Sequence, residues 1–209
     1  MRRIVFIIFM LAAIACHAQT FTIDTISDGV FRRMQGKSYG KDCTVARAEL
    51  RYLRLSHYDK DGQVHVGELV CNKAIAEDLK EIFQALYEQK YPIERMRLID
   101  DYDGDDERSM ADNNTSCFNF RSIAGSGKLS RHAVGMAVDI NPLYNPYVKR
   151  RKDGTTFVQP AVAAKYADRG KAWPYKIERG DLCHRLFVAH GFRWGGAWAS
   201  QKDYQHFER

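Results

Sequence analysis

The stretch Gly135–Pro142, GMAVDINP, constrains the fold more than any other part of the chain. Val138 and Ile140 are β-branched, small or acidic residues stand between them, and Pro142 closes the run. Read as a strand, Met136, Val138 and Ile140 point one way and Gly135, Ala137 and Asp139 the other. The first face is core. The second carries no bulk until it reaches a carboxylate, which leaves space beside Asp139. His132 lies an odd number of residues from Asp139, so on one flat strand it would face away. The loop before Gly135 must therefore swing His132 round, and glycine suits such a bend. A helix would also bring His132 and Asp139 onto one face, but Gly135, the β-branched residues and Pro142 weigh against it. In either geometry the two side chains converge.

A neutral imidazole and a carboxylate suit Zn2+, which in catalytic sites takes three protein ligands and keeps one position open. The closing DYQHFER offers His206 as the third ligand. Asp203, three residues earlier, sits on the same side of a helical turn or tight loop. There it can serve as general base and then as proton donor to a leaving amine. Taken singly, each of these residues suits a structural role. Combined with a terminal D-x-x-H and an export signal, H-x6-D becomes a considerably more specific constellation.

The first residues, MRRIVFIIFMLAAIACHAQT, have a basic start, an apolar run from Ile4 to Ile14, and small residues Cys16 and Ala18. This is the layout of a signal peptide over 1–18, cleaved after Ala18. The run is too short for a span of about 20 apolar residues. Lipoprotein attachment at Cys16 is the alternative. The expectation is an exported, periplasmic or otherwise extracytoplasmic protein with no transmembrane span after cleavage. Residues 19–40 read as a lead-in segment and 41–209 as one catalytic domain. The formal charge of +6 falls to +4 once Arg2 and Arg3 are set aside. That is too mild for nucleic acid, and the chain reads as a monomer.

In an oxidising compartment Cys43, Cys71, Cys117 and Cys183 read as two disulfides, with three possible connectivities. Cys43–Cys71 and Cys117–Cys183 are favoured because the first pair flanks a predicted hairpin. That hairpin spans AELRYLRLSHYDKDGQVHVGELV, with DKDG as its turn. Asp59 and Asp61 lack the later ligands of a calcium loop. His57 and His65 on the hairpin read as structural. Asn72 caps a helix whose Ile75, Leu79, Ile82, Phe83 and Leu86 follow helical spacing. ERMRLID reads as a strand, and the tract holding Asp101, Asp103, Asp105 and Asp106 as an acidic, solvated loop. NPYVKRRKDGTTFVQP is a loop or hairpin excursion. Asp181 caps a further helix that stops at Gly191. The mixture without a βαβ rhythm points to an α+β domain with an antiparallel sheet.

SRHAVGMAVD resembles the S-x-H-x-x-G-x-A-x-D motif of the zinc D-alanyl-D-alanine carboxypeptidase family, matching at Ser130, His132, Gly135, Ala137 and Asp139. That family includes L-alanyl-D-glutamate endopeptidases and the VanX and VanY enzymes, and aspartate at position 203 resembles the endopeptidase and VanY-like branches. GGAWASQKDYQHFE is similar to the closing motif of the family. The resemblance runs over about residues 90–209. It implies zinc on His132, Asp139 and His206, with Asp203 as catalytic base. It also implies Arg121, in NNTSCFNFRSI, as the cation on the oxyanion or substrate carbonyl. Ser130 then bonds substrate or orients His132, and Trp194 and Trp198 are candidates for walls of the substrate cleft. The implied substrate is a peptidoglycan stem peptide. The implied fold is the small Hedgehog/D-Ala-D-Ala-peptidase-like α+β domain, an antiparallel sheet flanked by helices. A carboxypeptidase would need a cationic pocket, for which Lys128, Arg131, Lys149 or Arg150 are available. The rival readings are a zinc-containing wall-peptide binder of the same fold that does not cleave, and a secreted interaction protein in which these residues are structural.

Overall fold

The computed structural model describes residues 19–123 and 126–209. The signal segment expected at 1–18, Cys16 included, lies outside the described residues. Residues 19–40, read as a lead-in, are built into the fold. Phe21–Thr25 form strand β1 and Asp28–Met34 form helix α1, whose first turn Ser27 caps by accepting the Val30 N–H at 3.3 Å. β2 (Leu50–Tyr58) and β3 (Val64–Asn72) make the expected hairpin, antiparallel from Leu50↔Asn72 to Tyr58↔Val64, with β1 antiparallel on the far side of β2. Its turn leaves no room for a cation. Asp59 Oδ1 accepts from the Asp61 and Gln63 N–H groups, both at 2.9 Å, and Oδ2 meets His65 Nε2 at 2.8 Å.

Helix α2 (Ala76–Glu88) lies on this hairpin. Asn72 accepts the Ala74 N–H at 3.0 Å and starts a 3-10 turn that runs into it. Leu79, Ile82, Phe83 and Leu86 then meet Leu53, Leu55 and Leu69 in one buried cluster. Each fully buried side chain of this kind contributes about 1.5–3 kcal/mol.

The strand expected over ERMRLID shrinks to β4 (Arg95–Met96). Beyond it the Asn114 side chain takes over the ladder, accepting the Arg97 N–H at 2.7 Å and donating to Arg97 O at 3.1 Å. The acidic tract is not a solvated loop throughout, because it holds α3 (Asp106–Ala111), capped by Asp105 on the Arg108 N–H at 3.1 Å. It leads to β5 (Asn114–Thr115), parallel to β4.

The remaining strands form two small antiparallel sheets. β6 (Ala137–Asp139), β9 (Arg193–Trp194) and β11 (His206–Glu208) have the order β6–β11–β9. β7 (Tyr147–Arg150), β8 (Thr156–Gln159) and β10 (Lys202–Asp203) have the order β10–β7–β8. Between them in sequence lies α4 (Leu182–Ala189), capped by Asp181 on the His184 N–H at 2.7 Å and ended by Gly191 at φ +81°. Phe187 of α4 stacks on Phe207 of β11 with ring centroids 4.3 Å apart. The result is a mixed α/β molecule with antiparallel sheets, and no described helix is long and apolar enough to cross a membrane.

The disulfides are a correction: all four described cysteines are free. Cys71, Cys117 and Cys183 sit in the main core, whereas half-buried Cys43 packs with Tyr39 and Val45 against a second, separate buried cluster. Cys183 lies beside Tyr91 and Asp181, while Cys117 Sγ points at Gly135 O. The thiols therefore serve as small apolar core residues, and burial pushes those of Cys71, Cys117 and Cys183 well above the usual range.

His57 is structural, as expected. It is buried, its Nδ1 bonds Ile93 O at 2.7 Å, and burial pulls its pKa down to about 4. The unfolded chain, with a histidine near its ordinary value, takes up a proton first as pH falls. Stability present above pH 6.5 is therefore lost as pH drops through about 4, at a cost on the order of 3 kcal/mol. Denaturation midpoints of wild type and His57→Asn between pH 7 and 4 check this, and the variant is expected to show the flatter dependence.

Candidate active site

The bend demanded by the spacing of His132 and Asp139 is a 3-10 turn over His132–Val134, closed by Gly135 at φ +69°. The turn is clamped to the end of β3. Asn72 N donates to Gly135 O at 2.9 Å, and Asn72 Nδ2 donates to Val134 O at 3.1 Å. A Cβ on Gly135 would stand 2.6 Å from Asn72 N, so the position tolerates neither a side chain nor the usual φ. Ser130 Oγ accepts the His132 N–H at 3.2 Å and fixes the start of the turn.

β6 and β11 then set the register. Asp139 lies directly opposite His206, and Val138 opposite Phe207. Val138 and Phe207 face the core, so Asp139 and His206 share the other face. His132 Nε2 and His206 Nδ1 are 3.2 Å apart, His206 Nδ1 and Asp139 Oδ1 3.1 Å, and His132 Nε2 and Asp139 Oδ2 3.2 Å. Ligand atoms about 2.0–2.1 Å from a tetrahedral ion stand roughly 3.3 Å from one another. The three donors thus form one face of a tetrahedron of the right size for a divalent ion such as zinc. The outer nitrogens are already held, His132 Nδ1 by Cys117 O at 2.6 Å and His206 Nε2 by Glu208 Oε2 at 3.3 Å. Such outer partners fix the tautomer and orientation of a metal-binding imidazole.

The charges favour a cation. Burial works against the positive form of His206, yet its bonds to Asp139 and Glu208 push its pKa up to about 10. Burial would raise Asp139, but His132 and His206 hold it well below the usual carboxylate range. His206 lowers Glu208 in turn. A divalent ion answers this field of carboxylates more fully than a proton on one imidazole.

Asp203 stands on β10, so of the helical turn or tight loop that the three-residue spacing allowed, the structure has the tight loop. It and His206 lie on two short strands of different sheets joined through Tyr204 and Gln205. Trp194 Nε1 donates to Tyr204 O at 2.9 Å and Ile140 N to Gln205 O at 3.0 Å, which fixes the joint. Gly195 lies against it so closely that a Cβ would sit 2.7 Å from Asp203 O. The Asp203 residue is half-buried, but its Oδ1 is sealed from solvent with no protein partner. Burial, reinforced by the Asp139 charge and opposed by that of His206, pushes its pKa up to about 6.

Arg121, Ser130 and Trp198 line the same cleft of about 570 Å³ as His132, Asp139, Asp203 and His206. The Trp198 ring is 5.3 Å from that of His206, whereas Trp194 is a core residue. Sequence reasoning missed two carboxylates here. Asp106 pairs with Arg121 Nε and accepts Asn119 Nδ2 at 2.8 Å. Burial raises its pKa, with the Arg121 charge opposing. Nothing local in the acidic tract marks Asp106. Glu208, by contrast, stands two residues beyond His206 on one strand, and strand alternation alone would have found it.

Residues 124–209 match the family model described as D-alanyl-D-alanine carboxypeptidase. Over that segment, less than half of the chain, the protein is similar to this peptidase family. The match spans His132, Asp139, Asp203 and His206 together with Ser130 and Trp198, while Arg121 and Asp106 precede it. It supports a peptidase activity for the chain. Comparison with curated proteins and with solved structures gives no match.

The geometry of the turn makes a separable prediction. Gly154→Ala, at φ +85° in open space, carries backbone strain alone and is expected to cost about 1 kcal/mol. Gly135→Ala adds the clash with Asn72 and is expected to cost about 3 kcal/mol or more. Chemical denaturation of the two variants side by side checks the difference.

Proposed function

We propose that the chain is an exported zinc metallopeptidase that hydrolyses amide bonds in peptidoglycan stem peptides, on a Hedgehog/D-Ala-D-Ala-peptidase-like fold. The observation that carries this reading is Asp203 Oδ1, buried and unpartnered beside the triangle of His132, Asp139 and His206. A structural carboxylate at such a depth bonds to something. An Oδ1 left without a donor at the mouth of a metal site is placed to move a proton.

His132 Nε2, an Asp139 carboxylate oxygen and His206 Nδ1 would hold the zinc. When bound, zinc supplies the Lewis acidity that activates water and polarises an amide carbonyl. Asp203 takes the proton of the attacking water on its carboxylate and returns it to the departing amine. With a pKa of about 6 it is ionised at neutral pH yet basic enough to accept that proton. Asp106 holds Arg121 by its Nε, leaving the other guanidinium N–H groups to steady the negative charge that develops on the carbonyl oxygen. Ser130 orients the His132 turn and borders the substrate, and Trp198 walls the cleft over His206.

The test is direct. Purified protein is expected to carry stoichiometric zinc, lost in His132→Ala, and to cut muropeptides in a chelator-sensitive way. Asp203→Asn should keep the zinc and lower kcat by about a hundredfold or more. This outcome also separates an enzyme from a binder of the same fold. Because protonation silences the base, kcat/KM should fall as pH drops through about 6. Zinc-loaded protein that leaves every muropeptide intact would overturn the reading.

A further inference from the structure

Two cations in the cleft have no anion to answer them. Asp106 is paired with Arg121, and Glu208 with Arg193 at 2.7 Å and with His206. Asp139 is taken by the two histidines, and the Arg131 guanidinium donates to Arg209 O. Lys149 and Arg151 also line the cleft, yet among the described residues neither has a carboxylate within ion-pair reach. Arg151 rests 4.9 Å over the Phe157 ring. Asp153 in the hairpin turn feels its charge only at a distance, because Asp153 Oδ1 is spent on the Thr155 N–H at 2.9 Å and hydroxyl at 2.6 Å.

The placement of this pair follows from strand register. Asp203 on β10 lies opposite Tyr147 on β7, Tyr147 opposite Gln159, and Lys149 opposite Phe157. Cross-strand partners share a face and alternate residues return to it. One face of the β10–β7–β8 sheet therefore carries Asp203, Tyr147, Lys149 and, just past the strand end, Arg151, all of which line the cleft. Val148 and Arg150 fall on the opposite face. The sequence alone had offered Lys128, Arg131, Lys149 and Arg150 as the cationic pocket. Register replaces Arg150 by Arg151, and Lys128 does not line the cleft.

We propose that Lys149 and Arg151 are specificity-determining residues that bind a carboxylate of an extended acidic peptide. This rests on the peptidase reading above. Lys149 lies about 7 Å along the strand from Tyr147, and Arg151 about 7 Å further. An extended peptide advances about 3.3–3.6 Å per residue. A chain whose scissile carbonyl sits beside Asp203 thus brings a residue about two or more positions away against the two cations. The recognised acid is one carried along the peptide, not a group on the bond being cut. Tyr147 and Phe157 supply apolar walls between the base and the cations.

The experiment compares a stem peptide whose glutamate carboxyl is free with the same peptide amidated at that carboxyl. Binding is measured by calorimetry to zinc-loaded Asp203→Asn protein, so that it is read without turnover. The free acid is expected to bind about tenfold or more tightly than the amide. Adding Lys149→Ala and Arg151→Ala should erase that preference while leaving zinc content and amide affinity in place, and Lys149→Glu should invert it. Both positions are exposed on a hairpin, and circular dichroism checks folding. Equal binding of the two peptides, a preference that survives the double variant, or binding of neither overturns the proposal. In the matching digest with wild type, cleavage of both peptides at equal kcat/KM overturns this inference alone. Cleavage of neither overturns the peptidase reading with it.

Discussion

The pairing of β6 with β11 is the constraint on which the site depends. In an antiparallel ladder the residues of each strand alternate between two faces, and opposite residues share one. Putting Val138 and Phe207 into the core therefore forces Asp139 and His206 together on the far side. The stack of Phe207 on Phe187 ties this ladder to α4. A slip of one residue would turn the acid and the imidazole into the apolar core and the two apolar side chains into the cleft. The energy that keeps the ligands apposed is thus ordinary apolar burial, spent a few ångströms from where it is used.

Around that ladder the electrostatics are arranged by desolvation. Asp139, Asp203 and Glu208 lie close to two imidazoles with little solvent between them. The field they make lifts His206 while the imidazoles depress Asp139 and Glu208. For Asp203, burial outweighs the lowering by His206, by a Gln205 side-chain hydrogen bond and by His132, and leaves it poised near neutrality. Two carboxylates separated by one short turn acquire opposite character from their surroundings alone.

What could be read in the sequence is what is decided locally. The alternation of GMAVDI, the glycine bend before it, the DKDG hairpin, the Asn72 cap and the Asp181 cap each follow from a few neighbouring residues, and each is present. What could not be read depends on partners far along the chain. Asp106 meets Arg121 across a loop, Arg151 takes the place of Arg150 by strand register, and the strand over ERMRLID is cut short by Asn114. Counting cysteines paired Cys43 with Cys71, which the packing places in different clusters, and Cys117 with Cys183, which share the main core as free thiols. Spacing alone left a helical turn or a tight loop open for Asp203 and His206, and long-range contacts of Trp194 and Gly195 fix the joint where two strands meet.

The hairpin of β7 and β8 has a consequence for how such a molecule changes over time. Its cleft face is joined to β10, the strand that carries Asp203, through backbone hydrogen bonds, which any side chain permits. None of Tyr147, Lys149, Arg151 or Phe157 belongs to the hydrophobic core. Their replacement leaves the main core and the ladder that holds Asp139 against His206 as they are. The wall that carries Lys149 and Arg151 can therefore drift while the wall that carries Asp139 and His206 is inherited unchanged.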